Sequence, residues 1–253
     1  MRLLLLLLVT FIANSAKAAQ VSIIIDDIGY RQTDEAVLSL PKEITLSVLP
    51  NTPLGKKIAI AAHHKGHEIM LHIPMQALNG KRLGPGGLTN DMDERTFKQT
   101  IATAFSSVPH VKGVNNHMGS LLTQMDQPML WLMESLKEQD NYFVDSVTTR
   151  YSKAANNANK LGIPLLRRQL FLDNDVSERA LENQFQQLIQ LANSQGSLVA
   201  IAHPYPETIH FLQHNLRRLQ REGISLVSTS ALLPYRLAQQ PDMKSTTSST
   251  HLR

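Results

Sequence analysis

The chain of 253 residues contains no cysteine. A domain of this composition working in an oxidising compartment holds together by its core and not by disulfides. Any metal site it carries is built from His, Asp, Glu or amide ligands. Aromatics are scarce at 5%, with Trp131 as the single tryptophan, and they define no stacking platform that can be traced in the sequence. Charge of one sign is also lacking where it would matter. The net charge is +4, but Arg2 and Lys17 lie at the start, and Arg236, Lys244 and Arg253 oppose only Asp242 at the end. The body between is neutral, without the basic stripe of a nucleic-acid protein, so no nucleic-acid partner is expected.

Long apolar runs are missing as well. The run from Leu3 to Ile12 is about half the roughly 20 residues a bilayer span needs. With Arg2 before it and Ala16-Lys17-Ala18 after it, residues 1–18 read as a secretory signal. A periplasmic or secreted protein with no stable membrane span after cleavage is therefore expected, an uncleaved anchor being the alternative. Residues 19–235 are enough for one domain with a large core. The tail 236–253, with its Ser and Thr run, has the composition of a disordered segment.

Apolar runs suited to buried strands recur at Val21–Ile25, Ile44–Leu49, Glu68–Leu71, Val111–Val114, Tyr142–Val144, Ile163–Leu166 or Leu170–Leu172, Leu198–Ala202 and Ile224–Val227. Segments of helical period alternate with them at Leu54–His64, Asp93–Val108, Pro128–Lys137, Ser177–Asn193 and Glu207–Arg221. Alternation of this kind predicts an α/β fold: a distorted (β/α) barrel of seven or eight parallel strands, with an open doubly wound sheet as the alternative. The Gly-rich stretch from Leu78 to Asp91 reads as a surface or rim loop, and it lacks the Gly-Lys-Ser or Gly-Lys-Thr triplet of a phosphate cradle.

Five of the strands bring polar groups to their carboxyl ends, the rim where barrels do chemistry. Asp26 and Asp27 follow Ile23-Ile24-Ile25, and both can face the rim only if the chain turns there, which Gly29 makes easier. One acid could hold a metal while the other takes a proton. His72 closes the third run, with Gln76 four residues on. Gln is a weak ligand for zinc-like ions, so a third ligand must come from elsewhere, and His117 in Asn115-Asn116-His117 is the candidate. Asp145 could orient an imidazole or bind substrate, or else cap the turn that follows it. His203 could serve as a general acid. The other histidines read as surface or helix residues.

These motifs resemble those of the divergent polysaccharide deacetylase family, a branch of the polysaccharide deacetylase superfamily. The likeness rests on Ile25-Asp26-Asp27-Ile28-Gly29-Tyr30, His72-Ile73-Pro74-Met75, Asn115-Asn116-His117-Met118-Gly119-Ser120 and Val144-Asp145-Ser146, and it covers roughly Gln20 to Pro234. It implies a polysaccharide deacetylase-like barrel with a divalent metal, zinc by expectation. In that reading Asp26 is the base, Asp27 and His72 are metal ligands, and His203 ends the final strand of the pattern. Gln76 stands where the superfamily has a second metal histidine, and Asn115-Asn116-His117 replaces its arginine-and-proline motif. The chemistry of His117 suggests it as the substitute ligand, with Asn116, Asp145 and Gln76 left to bind or orient substrate.

The expected activity is metal-assisted removal of N-acetyl groups from an envelope polysaccharide or amino-sugar oligomer. Two alternatives remain at the level of sequence. One is a barrel that binds a glycan or a partner without turnover. The other is a glycoside hydrolase pairing Asp26 or Asp27 with Asp145, which would leave both histidines idle.

Overall fold

A computed structural model describes residues 18–233. The signal expected over 1–18, apart from Ala18, and the tail 236–253 lie outside the described residues. Nine parallel strands alternate with helices. They are β1 (Ala19–Ile28), β2 (Thr45–Val48), β3 (Ile69–Met75), β4 (Val111–Met118), β5 (Tyr142–Asp145), β6 (Leu165–Arg167), β7 (Leu170–Phe171), β8 (Ser197–Ala202) and β9 (Ile224–Leu226). The helices are α1 (Gly55–His64), α2 (Glu94–Ser107), α3 (Asp126–Glu138), α4 (Ala154–Leu161), α5 (Glu178–Gln195), α6 (Pro206–Asn215) and α7 (Arg217–Arg221).

Strand order is β6-β5-β4-β3-β2-β1-β8-β7, with β9 pairing the first residues of β1 before β2 takes over at Ile24. The path begins and ends on β6 and β7, which are consecutive in the chain, and no ladder joins them among the described residues. The sheet is thus a curled half-barrel, closed at its seam by Arg168 and Gln169 and not by hydrogen bonds between strands. Both Leu165–Arg167 and Leu170–Phe171 are strands, where the sequence offered one or the other. Helix α4 escaped the periodic reading because Asn156, Asn157 and Asn159 dilute it. It is anchored by buried Ala154, Asn157 and Ala158 and ended by Gly162 at φ +73°.

Side-chain alternation sorts the residues into layers. Outside the sheet, Ile23, Ile25, Leu71, Ile73, Phe143 and Ala200 join the helices in the main core. Inside it, Ile24, Met70, Tyr142, Val144, Leu166, Val199 and Ile201 pack with Leu232, from the 3₁₀ turn Thr229–Leu232. At the amino ends of the strands, Thr229 bonds Ser22 and Thr45, and Tyr142 donates to Glu68 at 2.7 Å. Two residues further along each strand the interior line reaches Asp26, His72, Asn115 and His203. The pleat that buries Ile24, Met70 and Ile201 therefore also aims the polar side chains at the open end.

Gly113 belongs to the same interior line, and the space around it is taken. A Cβ there would lie 2.3–2.6 Å from the ring of Tyr142, whose hydroxyl is tied to Glu68. Gly113→Ala is expected to cost about 1–3 kcal/mol by overpacking. At about 2–4 °C per kcal/mol for a chain of this size, thermal unfolding should drop by several degrees, and an unchanged midpoint would contradict the packing.

His72 and Asn115-Asn116-His117 were expected just beyond their runs, but β3 and β4 continue past them to Met75 and Met118. Pro74 is tolerated within β3 because β2 ends its pairing at Leu71, and Leu88, which takes that side beyond it, donates to the Pro74 carbonyl and accepts from Gln76 N, not from the missing N–H. His67 is another departure from the sequence reading. It is buried, and its Nδ1 bonds the carbonyl of Ile44 at 2.9 Å.

Candidate metal centre and active site

The backbone at the rim departs from strand geometry in order to point both acids inward. Asp27 has φ +59°, and the β1–β2 register slips between Ile25 and Ile28, so a bulge falls at the acidic pair. Gly29 follows at φ +136°, and a Cβ there would meet Thr52 Oγ1 at 2.1 Å. The turn expected from the sequence is thus made by Asp27 itself as much as by Gly29. Met118 (φ +55°) and Val147 (φ +51°) are also left-handed at the ends of their strands. Val147 is β-branched, so its conformation is strained and has to be held by its neighbours. Asp145 Oδ1 accepts from Val147 N at 2.9 Å, and Arg168 donates to the carbonyls of Ser146 and Val147 at 2.6 and 3.0 Å.

Three donor atoms converge above the barrel interior. Asp27 Oδ1 lies 2.7 Å from His117 Nδ1 and 3.1 Å from His72 Nε2, and the two ring nitrogens are 3.2 Å apart. Asp27 Oδ1 is buried, yet neither imidazole contact is aligned as a hydrogen bond to it. The two rings are within hydrogen-bond distance of each other, and all three atoms face a common focus. Ligands on about 2.0–2.1 Å bonds in a tetrahedral site stand roughly 3.3 Å apart, so the trio fits one divalent cation. Side-chain exposure rises from 3% at His72 to 24% at His117 and 34% at Asp27, which leaves the outer side open. Three protein ligands with an open position are the pattern of a catalytic site, not a structural one.

Asn115 joins this trio to the second acid. Its Oδ1 accepts from His72 Nδ1 at 2.7 Å and from Ser47 Oγ at 2.6 Å, while its Nδ2 donates to Asp26 Oδ1 at 2.8 Å. The first bond fixes the His72 tautomer and frees Nε2 for a metal, and the last leaves Asp26 Oδ2 available. Burial is the largest influence on Asp26 and holds its pKa above the ordinary carboxylate range, against the pull of His72 and His203. Burial also opposes charge on Asp27, but the imidazoles of His117 and His72 outweigh it and press its pKa well down. Burial opposes charge on His72 too, and Asp26 and Asp27 overcome it and raise that ring's pKa.

His203 comes from the end of β8, and its Nε2 stands 4.0 Å from Asp27 Oδ2. Asp173 holds it in place. Its Oδ1 pairs with His203 Nδ1 at 2.9 Å, and its Oδ2 accepts from His203 N at 2.6 Å and Thr208 Oγ1 at 2.9 Å. Burial works against a charged ring, but the Asp173 carboxylate prevails and pushes His203 up to about 9.

Asp26, Asp27, His72, His117 and His203 thus meet at one point. The other three residues singled out in the sequence lie elsewhere. Asn116 faces away from Asn115 and ties the backbone, accepting from Ser146 N and donating to the carbonyl of Met118. Asp145 clamps the Val147 turn. Gln76 Oε1 accepts from Asn90 N at 2.8 Å and stitches down the loop between Leu78 and Asp91.

Sequence reasoning missed Asp173, although Leu170-Phe171-Leu172-Asp173 carries the same signal, an acid after an apolar run. It also missed the walls. A cleft of about 490 Å³ opens over the trio, lined by Tyr30, Arg31, Arg82 and Tyr205 as well as by His117 and His203. The two tyrosines form aromatic sides that no spacing in the chain announced.

Residues 23–233 match a protein family described as divergent polysaccharide deacetylase. The chain is 36% identical over 223 residues to the uncharacterized protein YibQ of Escherichia coli, spanning 88% of this chain and 70% of that one. It is also 36% identical over 215 residues to an uncharacterized protein of Haemophilus influenzae, spanning 85% and 76%. Among solved structures it is similar to an uncharacterized protein of Agrobacterium tumefaciens C58, with a TM-score of 0.82 at 22% identity, over 86% of this chain and 90% of that one. That likeness is one of fold.

Proposed function

The chain belongs to the divergent polysaccharide deacetylase family, and from that premise we propose that it is an exported, metal-dependent hydrolase, periplasmic or secreted, that removes N-acetyl groups from amino sugars of an envelope polysaccharide. One observation carries this reading: Asp27, His72 and His117 face a common point directly beside a buried acid and a tethered histidine. A zinc-like ion held by those three would supply a Lewis acid for the acetamide carbonyl and for water.

The remaining work falls to the chain. Asp26, fixed through one oxygen by Asn115, takes the proton of the attacking water with the other. His203, kept protonated by Asp173, gives a proton to the sugar amine as the C–N bond breaks. General acid and general base are each worth roughly 10²- to 10⁴-fold in rate. Tyr30 and Tyr205 shield the cleft and offer flat faces to a sugar ring.

Acetate release from N-acetylated amino-sugar oligomers, followed before and after chelation and across pH, tests this reading. Release should be lost on chelation and restored by zinc. Protonation of Asp26, whose pKa burial raises, should cut the rate on the acid side. His203 works as an acid only while protonated, so on the alkaline side the rate should fall as pH rises through about 9. The same shift makes the His203–Asp173 pair a stabilising contact present below the ordinary value of 6.5 and lost as pH climbs through about 9. Asp173→Asn removes the main support for the proton, so the alkaline limb should move down toward 6.5. Metal binding with no acetate release from any N-acetylated glycan would instead favour a barrel that binds and does not turn over.

A further inference from the structure

Two arginines from separate loops stand on the wall of the same cleft. Arg31 follows β1 and Arg82 lies in the loop after β3, and both line the space that also reaches Asp27, His117 and His203. Neither guanidinium has an ion-pair partner among the described residues. Two acids also line the cleft, and neither pairs with them. Asp27 belongs to the trio, and Asp34 Oδ2 accepts the backbone N–H groups of Gly29, Tyr30 and Arg31 at 2.9–3.0 Å, while its Oδ1 is buried and accepts no hydrogen bond. Both arginine side chains are exposed, and the guanidinium carbon of Arg31 lies 5.9 Å from the centre of the Tyr205 ring, a contact that favours placing this charge at the cleft.

A neutral glycan offers such groups hydroxyl and acetamide oxygens but no counter-charge, so two cations pressed against it exchange water for bonds no stronger than those they give up. A carboxylate supplies what is missing. Planar, bidentate pairing with carboxylates is what guanidinium groups do best, and a cleft with low-dielectric walls concentrates the field of both cations on one guest.

We propose that the cleft selects an acidic substrate, an N-acetylated amino-sugar chain bearing a carboxylate close to the scissile acetamide, with Arg31 and Arg82 as its specificity-determining residues. This inference rests on the deacetylase reading for the position of the acetamide, while the arginine pairing concerns binding alone.

The experiment uses matched glycans: an N-acetylated oligomer carrying a lactyl ether carboxylate, the same oligomer with that carboxylate converted to its amide, and a second pair carrying or lacking a uronic acid carboxylate. Binding is measured by calorimetry and turnover by acetate release, on wild type, Arg31→Gln and Arg82→Gln. The free carboxylate should be preferred by at least about tenfold, the usual worth of a charge-assisted bond. Each variant should bring the preference down toward one, and raised salt should weaken it. Which pair shows the preference identifies the lactyl or the uronic source.

Equal acetate release and equal binding for acid and amide would overturn the acidic selectivity and leave the deacetylase reading standing. Arginine-dependent preference in binding with no acetate released from any glycan would do the reverse. A preference that survives both substitutions would remove Arg31 and Arg82 from the role.

Discussion

Wild type is expected to retain a divalent ion through purification, and a His72→Ala protein to lose it and to release acetate at least about 10³-fold more slowly. A Lewis acid contributes several kcal/mol to such hydrolyses, and each 1.36 kcal/mol is a factor of ten. His72 is the most enclosed of the trio, with its Nδ1 fixed on Asn115, so its Nε2 is the least mobile donor. Elemental analysis beside the acetate assay reads both effects. Removing a buried ring leaves Asn115 Oδ1 with one donor fewer, so a loss of folding has to be separated from a loss of the site. His117→Ala does this. That ring is partly exposed and makes no bond to the barrel interior beyond the trio, so the variant should stay folded and still lose the ion. Full metal content in both variants would sink the assignment. Because Asp26 and Asp27 raise the pKa of His72, which must be neutral to bind a cation, metal uptake should also release protons and weaken as pH falls.

Asp26→Asn should have the second large effect, and in a different quantity. Asp26 is no part of the trio, so the variant should keep its metal while kcat falls by about 10²- to 10⁴-fold. The substitution is nearly isosteric, and the amide oxygen of an asparagine can still accept from Asn115 Nδ2. The wild-type carboxylate resists ionisation because it is buried, so a neutral group in its place should leave the thermal midpoint unchanged or raised. KM should move little, since the proton transfer belongs to the transition state. Wild-type turnover in this variant would refute Asp26 as the base, and loss of metal would make it a ligand.

The contrast between these two variants follows from how the site is made. Asp26 and Asp27 are adjacent, yet one faces inward along the strand register and the other is swung over the rim by a left-handed residue. Sequence alternation alone would have put them on opposite faces. It is the bulge at the end of β1 that lets neighbours play different parts.

Much of this was legible in the chain. Apolar runs alternating with helical periods gave the parallel α/β barrel, because a strand buried on both faces has little choice of composition. The same runs identified Asp26, Asp27, His72, His117 and His203, since a polar side chain directly after a buried strand arrives at the rim with its neighbours. Asp173 was visible by this rule, since it directly follows the candidate run Leu170–Leu172, and was passed over because that run stood only as an alternative to Ile163–Leu166. Asn116, Asp145 and Gln76 met the rule and still went elsewhere. Their amide and carboxylate groups satisfy backbone N–H and C=O groups at turns, a local demand that residue type does not reveal.

The sequence by itself determined the class of fold, the end of the barrel where chemistry belongs and the kinds of donor available there, because these follow from burial and from a period of two along each strand. Only the tertiary structure decided which donors share a focus, that Asn115 joins Asp26 to His72, and that Tyr30, Arg31, Arg82 and Tyr205 wall one cleft. Those relations join residues tens to hundreds of positions apart. They are set by how the sheet curls and where its loops fold back, which no local pattern encodes.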